Sequence, residues 1–450
     1  MNNNIDLNSS GKKNFFIKML ETNCEFFLMH KNVVVAKLNI SKENGNILDI
    51  KEVLNQSHIP ICVSIKNKDL LESSINIWWA NRCIPYIRPG LNDLLRALGF
   101  TTVKEMLIKS YGLSLTDQYW ICPSDDLLRW EDVNFFENPF SNDFGELLLG
   151  KEKITNKTLD LKSPDIATDG ELPKMWKINS SKRFLVKGGS FKYLQEPLNE
   201  VIASKIMDKL NIPHVRYDLI WENINGIKTP FSICECFVNT ETEFISEDHF
   251  TRNKIHEKPD SKSFYQFYID CCKDVGLNNA QSRVDQMIVV DFLIANQDRH
   301  TNNFGLIRNA KTLEFIDVAP IFDSGNSLWY DKLDEFIPNC KDFCKPYANR
   351  HYKQIKLTSI SNWPDIELLN GFEEEIKTIL NQSPFISEQR QIIICDNFKN
   401  RLRLLQKYVK EKNKNPDYDP EFDDEFNPQK ENIFQDNPED TFDPFENFIK

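Results

Sequence analysis

Between residues 290 and 325 the chain runs VDFLIANQDRHTNNFGLIRNAKTLEFIDVAPIFDSG, and its chemistry concentrates there. The spacing predicts an apolar helix that ends at Asn296 and a loop, closed by Gly305, that carries Asp298, His300 and Asn303. A strand over 312–316 then delivers Asp317, with Pro320 and Asp323 beyond it. A carboxylate with an amide five residues on, and a second carboxylate after a strand, suits phosphoryl transfer. One Asp would orient or deprotonate an attacking hydroxyl. The Asn oxygen and the other Asp would hold Mg²⁺ against phosphates, both being hard oxygen donors. The same residue types also serve ordinary loops, as caps and at positive φ, so the loop counts only in company. Spacing alone does not choose between Asp317 and Asp323 as the second carboxylate.

That company lies upstream. In KRFLVKGG, Lys187 ends a short strand of alternating apolar and basic residues. Glu200 follows 13 residues later in a helix opened by Pro197, with Val201, Ile202, Ile206 and Leu210 on one stripe. A strand lysine paired with a helix glutamate fixes an ammonium where nucleotide phosphates lie. Next, VRYDLIWE and GIKTPFSICECFV flank Asn225-Gly226, a hairpin signal because a type I′ turn needs positive φ at both central residues. From Phe267 onward the apolar spacing is helical, with helices expected over 282–296, 367–380 and 387–410. The fold class is therefore α+β: a small mixed β lobe followed by a helical lobe, a two-lobed cleft.

These residues carry a family resemblance. NQDRHTNNFG followed by APIFDSG resembles the HipA-like serine/threonine protein kinases, whose pattern is Asp-x-His-x-x-Asn-Phe and then Pro-x-aromatic-Asp. DRHxxN is also similar to the phosphatidylinositol kinases, distant relatives in fold. The resemblance spans roughly residues 165–410 and is sharpest over 296–323. It implies a protein-kinase-like fold and ATP- and Mg²⁺-dependent transfer of the γ-phosphoryl to a Ser or Thr hydroxyl of a protein substrate. By position, Asp298 corresponds to the catalytic base, Asn303 and Asp323 to the metal ligands, Lys187 to the ATP-phosphate lysine and Glu200 to its partner. The Pro-x-aromatic-Asp form favours Asp323 over Asp317. DIATDGELPK, with Gly170, stands where the family places its phosphate-covering loop. The nearest hydroxyl there is Thr168, which does not match the spacing of the family's autophosphorylated serine. The adenine is expected against Glu235, Phe237 and Val238 through backbone groups. His300 reads as a support for the nucleotide loop rather than a proton carrier. The family further implies a toxin-like role with an antitoxin-like partner at the N-terminal domain, although residues 1–150 do not match the family's usual opening domain. Two alternatives stand: a kinase of a lipid or small-molecule alcohol, and a non-catalytic kinase-fold binding module.

The frame around the site is a chain of 450 residues with 55 Lys+Arg, 67 Asp+Glu and 40% hydrophobic residues, too apolar for wholesale disorder. Twelve acids and two lysines fall in residues 415–450, a net of −10 out of −12, among five prolines and six phenylalanines. Like charges and frequent prolines predict an extended, disordered tail that either solubilises the protein or docks through its aromatics. The remainder is close to neutral, so the total charge says nothing about a cleft, and no direct nucleic-acid binding is expected. No run approaches the roughly 20 apolar residues of a membrane span. The opening MNNNIDLNSSGKKNFF lacks a secretory signal. The eleven cysteines are odd in number and form no CxxC. Cys340 and Cys344 would share a helix face without a second ligand pair, so the cysteines read as buried apolar residues in a reducing, cytoplasmic compartment. In the first 160 residues, FFLMHKNVVVAKL predicts two strands with a turn near Lys31, residues 91–111 are helical, and 115–138 holds aromatic loops and short strands. The expected domains are 1–160 (an α/β accessory domain), 161–240 (small lobe), 241–413 (helical lobe) and 414–450 (tail).

Overall fold

The computed structural model describes residues 25–41, 43–151, 160–190, 192–339 and 343–418. The expected disordered tail from 419 on, Cys340, and most of the lysine-rich stretch before residue 164 lie outside the described residues. The protein is mixed α+β and divides into two compact units. Unit one comprises Met1–Arg183, Val238–Glu243 and Ala310–Leu313, and unit two the rest. Residues 161–183, grouped with the small lobe from sequence, thus cluster with unit one.

Unit one is built on an antiparallel sheet in the order β3-β2-β1-β4, with β1 Glu25–His30, β2 Val33–Ile40, β3 Ile47–Val53 and β4 Tyr119–Pro123. The expected turn falls at Lys31, at φ 49°. Helices α1 (Lys68–Asn81), α2 (Leu91–Leu98) and α3 (Val103–Lys109) complete a core of Leu28, Val35, Leu38, Trp79, Leu107 and Ile121. The single helical stretch expected over 91–111 is two helices. Gly99 ends α2 at φ 73°, and Thr102 with Glu105 forms a reciprocal capping box that starts α3. Strand β5 (Lys174–Asn179) also falls in this unit.

In unit two, β6 (Lys182–Gly188), β8 (Ile227–Glu235) and β7 (Tyr217–Ile224) are adjacent antiparallel strands. The β7–β8 turn is Asn225-Gly226 with φ 52° and 86°, as a type I′ hairpin demands. Helix α4 (Glu196–Lys209) carries Pro197 in its first turn and buries Val201, Ile202 and Ile206. Strands β9 (Thr242–Ser246), β10 (Gly305–Asn309) and β11 (Phe315–Val318) form a second sheet. Unit two also holds the longer helices α5 (Phe264–Asp274), α6 (Ala280–Leu293), α7 (Glu373–Leu380) and α8 (Glu388–Lys414), with α6 against β11, α5 and α8, and α7 against α8 and α4. Two expectations shift. The helix over 367–380 is interrupted at Gly371, φ 80°, leaving a short 3-10 turn at Ile366–Leu369. The strand expected over 312–316 lies at Phe315–Val318, so Asp317 sits within it rather than beyond it. Among the described residues no helix is long and apolar enough to cross a membrane.

Candidate active site

The loop that follows α6 is assembled by its own side chains. Ala295 takes φ 50° and turns the chain out of the helix. The Asn296 amide donates to Asp291 Oδ1 (2.8 Å), while its oxygen accepts the Asp298 amide N–H (3.0 Å). Arg299, fully buried, then ties three segments together. Its Nε and Nη2 donate to both oxygens of Asp291 at 3.0 Å, Nη1 donates to the carbonyls of Asn303 (3.1 Å) and Phe322, and Nη2 donates to Ser324 Oγ (3.0 Å). A planar guanidinium with five fixed donors suits such a junction, and a lysine could not reproduce it. Burial opposes its charge, but Asp291 and the more distant Asp323 and Glu200 keep Arg299 above the ordinary arginine range.

Gly305 closes the loop because nothing larger fits. A Cβ there would stand 2.1 Å from the Ile245 carbonyl oxygen and 2.7 Å from Ser246 Cα, both backbone atoms. His300 Nδ1 accepts the Asn302 amide N–H at 3.2 Å. Asn303 commits its NH₂ to the Asp298 carbonyl (3.1 Å), which leaves its side-chain oxygen as the acceptor end.

Across from this loop, Lys187 lies opposite Ser232 in the β6–β8 ladder, and its ammonium contacts both Glu200 and Asp323. The Lys187 side chain is 4% exposed and Glu200 2%, against 31% for Asp323. Burial opposes the ammonium's charge, but the carboxylates of Asp323 and Glu200 outweigh it and hold Lys187 above the ordinary lysine range. Helix α4 is also stitched to the segment after Asp323. Glu200 Oε2 accepts the Ser324 N–H (2.8 Å), and Asn199 Nδ2 donates to the carbonyls of Gly325 (2.9 Å) and Ser327 (2.7 Å). Asp323 itself has φ 56°, and its N–H donates to the Tyr217 hydroxyl at 3.3 Å.

The structure therefore brings Lys187, Glu200 and Asp323 into direct contact, and links Asn303 to the Phe322–Ser324 segment through Arg299. Asp298 joins the same assembly through Asn326, whose Nδ2 donates to Asp298 Oδ2 at 3.1 Å. Its other oxygen, Oδ1, receives the ammonium of Lys345 at 2.9 Å. Asp317, within β11, accepts instead from Asn279 Nδ2 at 3.0 Å. Phe237 packs in a trio with Phe244 and Phe322 (centroids 5.3–5.7 Å), one residue from Asp323, while Glu235 is exposed at the end of β8. Val238 is buried and clusters with unit one.

Compared with known proteins, the chain matches no family model and no curated protein. Among solved structures it is similar to the Helicobacter pylori proinflammatory kinase CtkA, at 17% identity over 53% of this chain and 94% of that one, with a TM-score of 0.41. It is also similar to HipA of Shewanella oneidensis MR-1, solved in a complex of the toxin–antitoxin system with HipB and its operator DNA. That likeness has 13% identity over 84% of this chain and 95% of that one, with a TM-score of 0.47. Both likenesses are remote in sequence.

Gly170 belongs to unit one. Its loop is pinned there by the buried Arg88, which donates to the carbonyls of Thr168 (2.6 Å), Asp169 (3.0 Å) and Gly170 (2.5 Å). Thr168 is buried too. Its hydroxyl donates to the Pro164 carbonyl (2.7 Å) and accepts from the Trp176 indole (2.9 Å), so modification there requires the loop to open. Sequence reasoning missed Arg299, Asn199, Asn326 and Lys345. Asp291 was the available clue to Arg299, since a carboxylate inside the apolar run VVDFL must find a buried cation. Nothing in the local sequence pointed to Lys345.

Proposed function

We propose that unit two is a kinase-type phosphotransferase that moves the γ-phosphoryl of ATP to an alcohol, with a Ser or Thr hydroxyl of a protein as the acceptor. The observation that carries this reading is the Lys187 ammonium shared between Glu200 of α4 and Asp323, in one hydrogen-bonded assembly with Asp298 and Asn303. An ammonium held above its ordinary pKa is fully charged at neutral pH and suited to nucleotide phosphates. The donor set fits Mg²⁺ arriving with a nucleotide. Asp323 and Asn303 offer two hard oxygens, and no cluster of three or more His, Cys, Asp or Glu able to hold a metal occurs among the described residues. When bound, the ion would neutralise charge on the phosphates.

Asp298 would accept the hydroxyl proton while the hydroxyl oxygen forms its bond to the γ-phosphorus. The bond from that phosphorus to the β–γ bridging oxygen breaks, and ADP leaves with those electrons. The Lys187 ammonium and the Asn303 amide hold positions throughout and exchange no proton.

The test is γ-labelled ATP with Mg²⁺ and the full chain, wild type beside Asp298→Ala, offered a cell extract that is then separated into protein, small-molecule and organic fractions. Label on protein, absent with Asp298→Ala, is the expected outcome. Label in the organic or small-molecule fraction would move the acceptor to a lipid or small alcohol. No label in any fraction would leave a binding module.

A further inference from the structure

Lys345 lies 47 residues beyond Asp298 in the chain, and its surroundings set it apart from an ordinary surface lysine. Its ammonium stands 2.9 Å from Asp298 Oδ1, and Asp298 is its partner among the described residues, leaving two of its three N–H donors uncommitted. The two side chains are 46% and 34% exposed. A pair this open contributes little to stability, so folding alone gives no reason to fix it.

The backbone around it is nevertheless fixed on both sides. The buried Gln354 donates from Nε2 to the Lys345 carbonyl (3.0 Å) and accepts the Tyr347 N–H at Oε1 (2.9 Å). The Tyr347 ring packs edge-on against Phe304, at the end of the Asp298 loop (6.0 Å), and against Tyr265 (5.5 Å), with its hydroxyl shut off from solvent. Pro346 between them is buried. The result is a rigid mount presenting one solvent-reachable ammonium at the carboxylate proposed as base.

A hydroxyl hydrogen-bonded to Asp298 Oδ1 lies within about 3 Å of that oxygen, and therefore no more than about 6 Å from the ammonium that the same oxygen receives. Phosphorus approaches that hydroxyl, which brings the non-bridging oxygens of the transferring group within reach of a four-carbon side chain. Resting on the kinase reading above, we infer that Lys345 is a further catalytic residue: its ammonium donates hydrogen bonds to the non-bridging oxygens of the phosphoryl group in flight. The bonds made and broken are those already described, and Lys345 keeps its proton. Stabilising charge that develops in the transition state lowers the barrier without strengthening the ground state.

The experiment is a double-mutant cycle on the full chain with Lys345→Met, Asp298→Asn and the combination, following transfer from γ-labelled ATP and, separately, ATP affinity and thermal midpoint. Lys345→Met is expected to lower the transfer rate by about 10²–10³-fold, the cost of removing one oriented donor. ATP affinity and midpoint should hold, and Lys345→Arg should retain part of the rate. In the Asp298→Asn background the lysine substitution should cost a further large factor, because the ammonium acts on the phosphoryl directly. No further loss in that background would reduce Lys345 to positioning Asp298 and overturn the inference. So would wild-type transfer by Lys345→Met. Failure of the wild type to transfer phosphoryl at all would instead bring down the kinase reading.

Discussion

Lys187 and Lys345 each place an ammonium on an aspartate of one site, yet the Lys187 side chain is 4% exposed between two carboxylates whereas that of Lys345 is 46% exposed on one. The first region, β6 with α4 and the Asp323 segment, is over-determined. Glu200 and Asn199 hold the segment after Asp323 by its backbone, and Arg299 grips Phe322 and Ser324 from the other side. The second region, Asp298 with Asn326 and Lys345, is anchored at the backbone and open at the side chains. The difference suits the two roles proposed. A cofactor that is always the same can be met by a preformed buried constellation. An acceptor that must enter and leave needs groups that are oriented but wet.

If that contrast is real, the buried region should register in stability and the open one in turnover alone. The largest effect belongs to Arg299→Ala. It strands Asp291 in the core and orphans carbonyls in two segments, so chemical denaturation should show a loss at the upper end of about 3–5 kcal/mol. A loss below about 1 kcal/mol would mean that the junction relaxes easily. Lys187→Met comes next. It leaves Glu200 and Asp323 facing one another without a cation, with an expected cost of about 3 kcal/mol and loss of nucleotide binding. Unchanged stability would erase the distinction between the regions.

A smaller, pH-dependent effect comes from the residue that meets the end of the Asp298 loop. Glu247, whose N–H donates to the Phe304 carbonyl (2.9 Å), is buried, and burial reinforced by Asp248 pushes its carboxyl up to about 8. The folded state then keeps a proton that the unfolded chain has already released, so stability should fall as pH rises from about 4.5 to about 8 and level off above. Glu247→Gln should flatten that slope by at least about 1 kcal/mol, a single pKa unit being worth about 1.4. Thermal midpoints at pH 5 and pH 8 measure it, and an undiminished slope in the variant would assign the dependence elsewhere. At the low end, Asp298→Asn should change stability by no more than about 1 kcal/mol, because its ion pair is exposed.

Local features were the legible ones. The Asn225-Gly226 hairpin, the Pro197 helix and the loop bearing Asp298, His300 and Asn303 each follow from short-range rules, and the structure has all three. The contact of Lys187 with Glu200 was readable because a strand and the following helix must pack. What escaped was long-range or decided by a single glycine. Gly99 and Gly371 broke helices that apolar spacing alone would continue. Lys345 reaches Asp298 across 47 residues with no periodicity to announce it. The Gly170 loop is organised by Arg88, more than 80 residues earlier, which no local motif could reveal.

In the proposed kinase, nucleotide capture and phosphoryl acceptance belong to separable regions of one site. ATP affinity in Mg²⁺, measured on the same preparation of Asp298→Asn that is assayed for γ-phosphoryl transfer, tests it most directly. The expected result is wild-type affinity with transfer lowered about 10²–10⁴-fold, the contribution of a positioned general base, to a residual rate that can still be followed. Transfer at the wild-type rate, or loss of ATP binding together with transfer, would contradict it.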